Sequence, residues 1–337
     1  MELKVGIASF ILSLILVPFA KYLSYILGTI DEPSKGIHRF PTPRLGGLAV
    51  MGAIAISLLF LGDKSIFSEF RVRYALLSFG LVYLLGLADD LLEVRARVKM
   101  AIIVLLILPL SLLYVPPYLS LALHICYSLL ALILFLGAIN AINFIDGMDG
   151  LAPGLCLLSF LSFFFLLSSV GDKGGALLAI SCVFSLLGFL FYNWHPASIF
   201  MGDGGNYALG FLLAFLSYRL WLAEPNIRTL LAILFLLFMP AYDLILTVVR
   251  RIINHRSLFV GDFGHSYHKL WRDWGWEYKT VVFFFLICQA IFCLFAFVVF
   301  FLRSFYLTLL LLILALSFSL LLTHRYRLTS IAAERKG

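Results

Sequence analysis

Residues 121–170 read LALHICYSLLALILFLGAINAINFIDGMDGLAPGLCLLSFLSFFFLLSSV. Two strongly apolar runs, near 119–139 and 150–170, flank a short polar segment. Each run has roughly the 20 residues that a helix needs to cross the hydrocarbon core of a bilayer. Strands of a membrane barrel are about half that length and alternate in polarity, so the spanning elements are helices.

The pattern recurs along the 337-residue chain, with spans expected near 5–27, 45–62, 72–88, 98–115, 119–139, 150–170, 174–192, 207–222, 229–249, 280–302 and 304–322. Hydrophobic residues make up 63% of the sequence and charged residues 13%, with a mean hydropathy of +1.05. A soluble domain carries about 25% charged residues. The expected class is therefore an all-α integral membrane protein of about eleven transmembrane helices. The run after MELK has no recognisable cleavage site and is expected to be a retained helix. No long soluble segment interrupts the spans, which predicts a single polytopic membrane domain over 1–337.

Orientation follows from lysine and arginine. One set of loops and helix ends holds 17 of the 25 basic residues and the other set holds 8. The positive-inside rule then places the N-terminus outside and the C-terminus in the cytoplasm. The net charge of +7 requires no nucleic-acid partner, because membrane lipid headgroups and phosphorylated substrates account for it. Cys126, Cys156, Cys182, Cys288 and Cys293 lie in apolar spans at no metal-ligand spacing. Trp271, Trp274 and Trp276 in KLWRDWGWEYK predict a segment lying along the membrane interface.

This topology brings every unusual polar cluster to the cytoplasmic face. They are DEPSKGIHRFPTPRLGG (31–47), LADD (87–90), NAINFIDGMDGLAPG (140–154), NWHPASIFMGDGGN (193–206) and GDFGHSYHKL (261–270). An aspartate at the centre of a membrane helix costs roughly 2.5–3.5 kcal/mol. Asp89, Asp90, Asp146, Asp149 and Asp203 are more economically placed together at helix ends around something positive.

Each cluster has a structural and a chemical reading. Asp89 and Asp90 end the third span, where they oppose the helix dipole unless a cation offsets them. On a helix, Asn143, Asp146 and Asp149 at i, i+3 and i+6 fall within about 120° of one another; the glycines between them also fit a polar turn that caps the sixth span. Glycine-flanked Asp203 sits where a helix start can cradle a phosphate or simply be capped. His265 and His268 lack the spacing and the glutamate of a zinc-protease helix. Oxygen ligands favour Mg²⁺, or Mn²⁺, over zinc, and histidines beside them suit phosphate contact or proton transfer. Lys35, His38, Arg39, Arg44, Arg95, Arg97, Lys99, Arg250, Arg251 and Arg256 are both positive-inside anchors and candidates to clamp a polyphosphate. Carboxylates, a hard cation and flanking bases are the parts that phosphoryl transfer uses. A transporter would instead place acids near helix midpoints without bias to one face.

PTPRLGG, LADD, NAINFIDGMDGLA, NWHPASIFMGDGG and RSLFVGDFGHSYH resemble, in this order, the motifs of the polyprenyl-phosphate N-acetylhexosamine-1-phosphate transferases. PTPRLGG and RRIINHRSLFVGDFGH are similar to the branch that uses UDP-N-acetylglucosamine rather than the phospho-N-acetylmuramoyl-pentapeptide transferases. The resemblance implies transfer of a sugar-1-phosphate from a UDP-N-acetylhexosamine to undecaprenyl phosphate, release of UMP and a need for Mg²⁺. It implies that Asp203, with Asp149, binds the metal and that Asp89 and Asp90 form an acidic pair, Asp89 activating the lipid phosphate. Asn143, Asp146 and Asp149 would line the nucleotide and metal site, and Asn193 and Phe200 would lie near the uracil. His265 and His268 would approach the diphosphate or sugar, with Arg256 as a partner. His38, Arg44 and Lys99 are carried as further substrate-binding residues. A plasma-membrane location, and compatibility with a homodimer, complete the expectation. One departure stands out: Tyr267 occupies a position where that branch commonly has a histidine.

Overall fold

A computed structural model describes the chain except for residues 34–39, 63–69, 93, 115–119, 259–263, 303 and 331–337. His38, one of the expected substrate-binding residues, thus lies outside the described residues. The helices are α1 (Glu2–Leu27), α2 (Gly46–Leu61), α3 (Phe70–Leu92), α4 (Ala96–Tyr114), α5 (Leu121–Ile145), α6 (Leu151–Ser169) and α7 (Lys173–Asn193). They continue as α8 (Gly202–Ala223), α9 (Ile227–Leu236), α10 (Phe238–Ile253), the one-turn α11 (Ser266–His268), α12 (Tyr278–Leu302) and α13 (Phe305–Arg325). A π-helical turn, Lys269–Asp273, follows α11 directly.

Every expected span falls on one helix, except the ninth, which is divided between α9 and α10. Among the described residues, eight helices are long and apolar enough to cross a membrane, or nine with the bent α9–α10 pair taken as one span. The count falls below eleven at α2, which has only 16 residues, and at α8, which opens on the polar GDGGN. Helix α8 is the central element, buried along nearly its whole length. It packs against α2, α3 and α5, while α1, α2, α6 and α7 build the adjoining layer. Helix α13 lies at the periphery, where most of its apolar side chains remain exposed to their surroundings.

Polar side chains join these helices inside the apolar body. Ser9 of α1, Ser57 of α2 and Ser181 of α7 form a hydroxyl cluster, with Ser9 Oγ 2.6 Å from Ser57 Oγ and 2.8 Å from Ser181 Oγ. Small hydroxylated residues of this kind let membrane helices approach closely while satisfying one another.

The 78° bend between α9 and α10 has a readable cause. Pro240 has no N–H to donate to the carbonyl four residues earlier, that of Leu236. Ser159 Oγ and Gln289 Nε2 donate to that carbonyl instead, at 2.7 and 2.8 Å. Gln289 Oε1 also accepts from Met239 N–H at 3.1 Å, so one amide on α12 serves both sides of the break.

The small strands β1 (Ile30–Asp31) and β2 (Thr42–Pro43) pair antiparallel, with Ile30 opposite Pro43 and Asp31 opposite Thr42. This hairpin sits beside the polar end of α8. Phe200 N–H donates to Pro43 O at 2.7 Å, Gly46 N–H to Phe200 O at 2.9 Å and Gly47 N–H to Met201 O at 2.8 Å. Two motifs about 155 residues apart in the chain are thereby stitched into one wall by their backbones.

Candidate active site

At the polar end of α8 a cavity of about 230 Å³ is lined by Asp31, Arg44, Asn143, Asp146, Asp149, Asn193, Phe200, Asp203, Asn206 and His268, with Gly147, Met148 and Gly202. A comparably large cavity, about 270 Å³, lies between α2, α3, α7 and α8 toward the other end of α8; its lining is almost wholly apolar and holds none of the acids of the quoted motifs. The polar cavity therefore defines the site.

Gly202 makes the geometry of the α8 start accessible. Its φ is +76°, and a Cβ there would lie 2.0 Å from Arg44 O and against the Asp90 carboxylate. Only glycine adopts this left-handed backbone at such close approach without strain. Beyond it, Asp203 N–H donates to Asp90 Oδ1 at 2.9 Å and Gly204 N–H to Asp90 Oδ2 at 3.0 Å. Asp90 at the end of α3 thus caps the start of α8, where a negative charge complements the helix dipole. Its Oδ1 also lies 3.8 Å from the Arg44 guanidinium.

Asp203 enters the cavity from the first turn of α8. Asp146, the residue that ends α5, enters from the facing side, and its Oδ2 accepts from Asn206 Nδ2 at 2.6 Å. Burial pushes the Asp146 carboxyl up to about 6; the Asn206 bond and the Arg44 charge act in the opposite direction. For Arg44, burial disfavours the charge, but Asp203, Asp90, Asp31 and Asp146 outweigh it and raise its pKa. Arg44 is consequently a fixed cation among carboxylates.

The other expected residues divide into two groups. Asn143, Asn193, Phe200 and His268 line the cavity together with Asp146, Asp149, Asp203 and Arg44. Asn193 Oδ1 accepts from Gly150 N–H at 3.0 Å and its Nδ2 donates to Ile199 O at 2.8 Å. It therefore holds the NAINFIDGMDG and NWHPASIF segments together as well as facing the cavity.

Asp89, Asp90, His265, Lys99 and Arg256 stand outside the lining. Asp89 is buried and ion-paired with Lys99, and it accepts from Val94 N–H at 2.9 Å and Tyr207 OH at 3.2 Å. His265 is directed to Asp243 of α10, with Nδ1 2.8 Å from Asp243 Oδ2. Arg256 is exposed, and its backbone N–H donates to Arg251 O.

Several partners of the expected residues, His195, Tyr278, Asp243, Ser266 and Asn206, were not singled out from the sequence. Asp149 uses Oδ2 to accept from Ala197 N–H at 3.0 Å and to contact His195 Nδ1 at 2.7 Å, while its own N–H donates to Tyr278 OH at 2.6 Å. His195 stacks on Tyr278 with ring centroids 4.3 Å apart. Asp243 also accepts from Ser266 N–H at 2.8 Å and from Ser266 Oγ. A single acid within the apolar run LLFMPAYDLIL was the available signal for Asp243. Asn206 lies three residues beyond Asp203, on the same helix face; only its partner reveals its role.

Tyr267, the departure from the usual histidine, is buried against the end of α5. Its OH donates to Phe144 O at 2.8 Å, and its ring stacks on His265 with centroids 5.4 Å apart. It braces the NAINFIDGMDG segment from the HSYH side. Gly147 leaves the space, since a Cβ there would lie 2.3 Å from the tyrosine oxygen.

Among the described residues, no three His, Cys, Asp or Glu side chains are arranged to hold a metal ion. The cavity nevertheless gathers hard oxygen donors. Asp146 and Asp203 are joined there by Asn206, whose Oδ1 is buried without a hydrogen-bond partner among the described residues. That donor set suits a small divalent cation.

Residues 72–220 match the Glycosyl transferase family 4. A decaprenyl-phosphate N-acetylglucosaminephosphotransferase of Mycobacterium tuberculosis is 30% identical over 313 residues, covering 82% of this chain and 77% of the relative. The chain belongs to the polyprenyl-phosphate N-acetylhexosamine-1-phosphate transferases. A probable undecaprenyl-phosphate N-acetylglucosaminyl 1-phosphate transferase of Bacillus subtilis is 29% identical over 273 residues, covering 78% of this chain and 75% of the relative. A phospho-N-acetylmuramoyl-pentapeptide-transferase of Clostridium botulinum is 28% identical over 295 residues, with coverages of 80% and 85%. Relatives of both kinds therefore resemble this transferase at similar identity. It is a multi-pass membrane protein of a family of polyprenyl-phosphate sugar-phosphate transferases.

Proposed function

We propose that the protein transfers N-acetylglucosamine-1-phosphate from UDP-N-acetylglucosamine to undecaprenyl phosphate at the cytoplasmic face of the plasma membrane, releasing UMP, as a first membrane step of cell-surface polysaccharide synthesis. The observation that carries this reading is the cavity in which Asp146, Asp203, Asn206, Arg44 and His268 converge from separate segments at one end of the helical body. The proposed topology has eleven spans, with α2, α8 and the α9–α10 pair counted as one each, the N-terminus outside and the C-terminus in the cytoplasm.

In the reaction, an oxygen of the lipid phosphate bonds to the phosphorus of the sugar-1-phosphate, and the bond from that phosphorus to the UMP oxygen breaks. Arg44 and His268 line the cavity and would offer a positive charge and a hydrogen-bonding group to the diphosphate. Asp203 and Asp146, with Asn206, are the residues that would hold Mg²⁺. Bound there, the ion would supply charge neutralisation of the phosphate oxygens. Asp149, whose Oδ2 is engaged with the NWHPA segment, braces the nucleotide wall formed with Asn193 and Phe200. Asp90 acts through the α8 start, and Asp89 is ion-paired with Lys99 outside the cavity lining. A direct displacement and a two-step route through an aspartyl phosphate balance equally with these residues.

The test is UMP release by purified protein in detergent, supplied with undecaprenyl phosphate, Mg²⁺ and either UDP-N-acetylglucosamine or UDP-N-acetylmuramoyl-pentapeptide. The proposal expects lipid-dependent UMP with the first donor, abolished by EDTA and by Asp203→Asn. Turnover with the second donor alone would move the protein to the pentapeptide branch. No UMP from folded protein with either would overturn the reading.

A further inference from the structure

The expected functional residues leave Lys269 unexplained. It immediately follows His268, opens the π-helical turn Lys269–Asp273, and is only 2% exposed. A buried ammonium has three N–H donors to satisfy. Lys269 Nζ donates to Arg327 O at 3.0 Å, Ser330 O at 2.5 Å and Ser330 Oγ at 3.4 Å. All three acceptors belong to the turn that ends α13.

That turn has a defined geometry. Arg327 takes φ +48°, and Leu328 N–H donates back to Thr323 O at 3.0 Å, the pattern of a left-handed helix stop. It turns carbonyls toward the ammonium at a helix C-terminus, the end that favours a cation. Further contacts join the same two segments. Trp274 Nε1 donates to Tyr326 O at 3.1 Å, Trp276 packs edge-on to Tyr326 and the Arg325 guanidinium lies 5.1 Å from the Trp274 ring centre. Asn254, the residue that caps the end of α10, adds a bond to Thr329 O at 3.3 Å. Along its membrane length α13 is lightly packed, so its polar attachment is concentrated at the end beside the site.

We propose that the turn 326–330 is a latch for the HSYH segment and that Lys269 is the positioning residue through which it places His268 in the cavity. The proposal rests on the transferase reading of that cavity. His268 and Lys269 are consecutive, so loss of the three carbonyl and hydroxyl acceptors removes one anchor of the turn that carries His268, beside the bonds of Tyr267 to Phe144 O and of Ser266 to Asp243. Lys269 itself does not line the cavity, and its effect is exerted through its neighbour.

The test compares Lys269→Met, Lys269→Arg, a chain ending at Arg325, a chain ending at Ser330 and the Lys269→Met change in the chain ending at Arg325. Hydrogen exchange over 264–276 is measured alongside UMP-release kinetics. Lys269→Met and the chain ending at Arg325 are expected to exchange faster over 264–276, with α8 unaffected. Each is expected to raise the KM for the UDP-sugar about tenfold, as displaced supporting groups do; a smaller folded fraction lowers kcat without changing KM. Lys269→Arg and the chain ending at Ser330 should stay near wild type, and the combined variant should be no worse than either part. Unchanged exchange over 264–276 in both disrupted chains, or losses that multiply in the combination, would overturn the latch. If wild-type protein releases no UMP, the transferase reading fails while the exchange data still decide the latch.

Discussion

Asn206 Nδ2 donates to Asp146 Oδ2 across 2.6 Å, joining the first turns of α8 to the residue that ends α5. The bond favours the ionised carboxylate and opposes the burial that raises its pKa to about 6. Replacing Asn206 with Leu should move Asp146 further up, by about one to two pH units if the bond contributes the 1.5–3 kcal/mol usual for a charged acceptor. The acid limb of the pH profile for UMP release should shift by the same amount. An unmoved limb would remove Asp146 from the titrating machinery.

Cation dependence should carry a matching signature. The folded pKa of Asp146 lies above its ordinary value of 3.8. Its ionisation therefore opposes folding: the stability linked to this group is fully present below about pH 4 and is lost as the pH rises through about 6. The full effect is about 3 kcal/mol. A divalent cation that needs the ionised form should offset this loss. The rise in Tm caused by MgCl₂ should be larger at pH 7.5 than at pH 5.5, and equal rises at both would argue against a cation beside Asp146.

The clamp on the α9–α10 break can be tested without substrate. Gln289→Leu leaves the buried Met239 N–H without its acceptor and should destabilise the protein by about 1–3 kcal/mol, read as a lower midpoint of thermal unfolding in detergent. Ser159→Ala should cost less, because Leu236 O keeps its bond from Gln289. The altered bend should also slow turnover, since α10 carries the Asp243 that holds His265.

At the opposite end of α8, Arg219 forms a two-pronged ion pair with Asp172, at 2.6 and 2.5 Å. Its distance from the cavity predicts a purely structural role. Arg219→Gln should lower stability by about 1–3 kcal/mol for a partly shielded pair and leave KM for both substrates unchanged. A raised KM would show coupling between the two ends of the helix.

The positions of the polar clusters were legible because their signal is local: hydropathy sets the spans, and the acids of LADD, NAINFIDGMDG and FMGDGGN interrupt them. The bend at Leu237 was hidden within a continuous apolar run, since Pro240 announces a missing N–H but not the Gln289 and Ser159 side chains that stabilise the break. The shortness of α2, 16 residues, was likewise hidden, because its flanks are also apolar or glycine-rich.

By itself, the sequence determined a helical membrane protein with its acids gathered at helix ends, and it carried motifs specific enough to predict the family. Only the tertiary structure decided what each polar group does. Asp149 lines the cavity while its Oδ2 is engaged with His195 and Ala197, His265 turns toward Asp243, Arg256 is exposed, and Asn206 reaches Asp146. The physical reason is that a helix's apolar length is written in consecutive residues, whereas the chemistry of a buried carboxylate depends on the donors around it, which here come from segments tens of residues away.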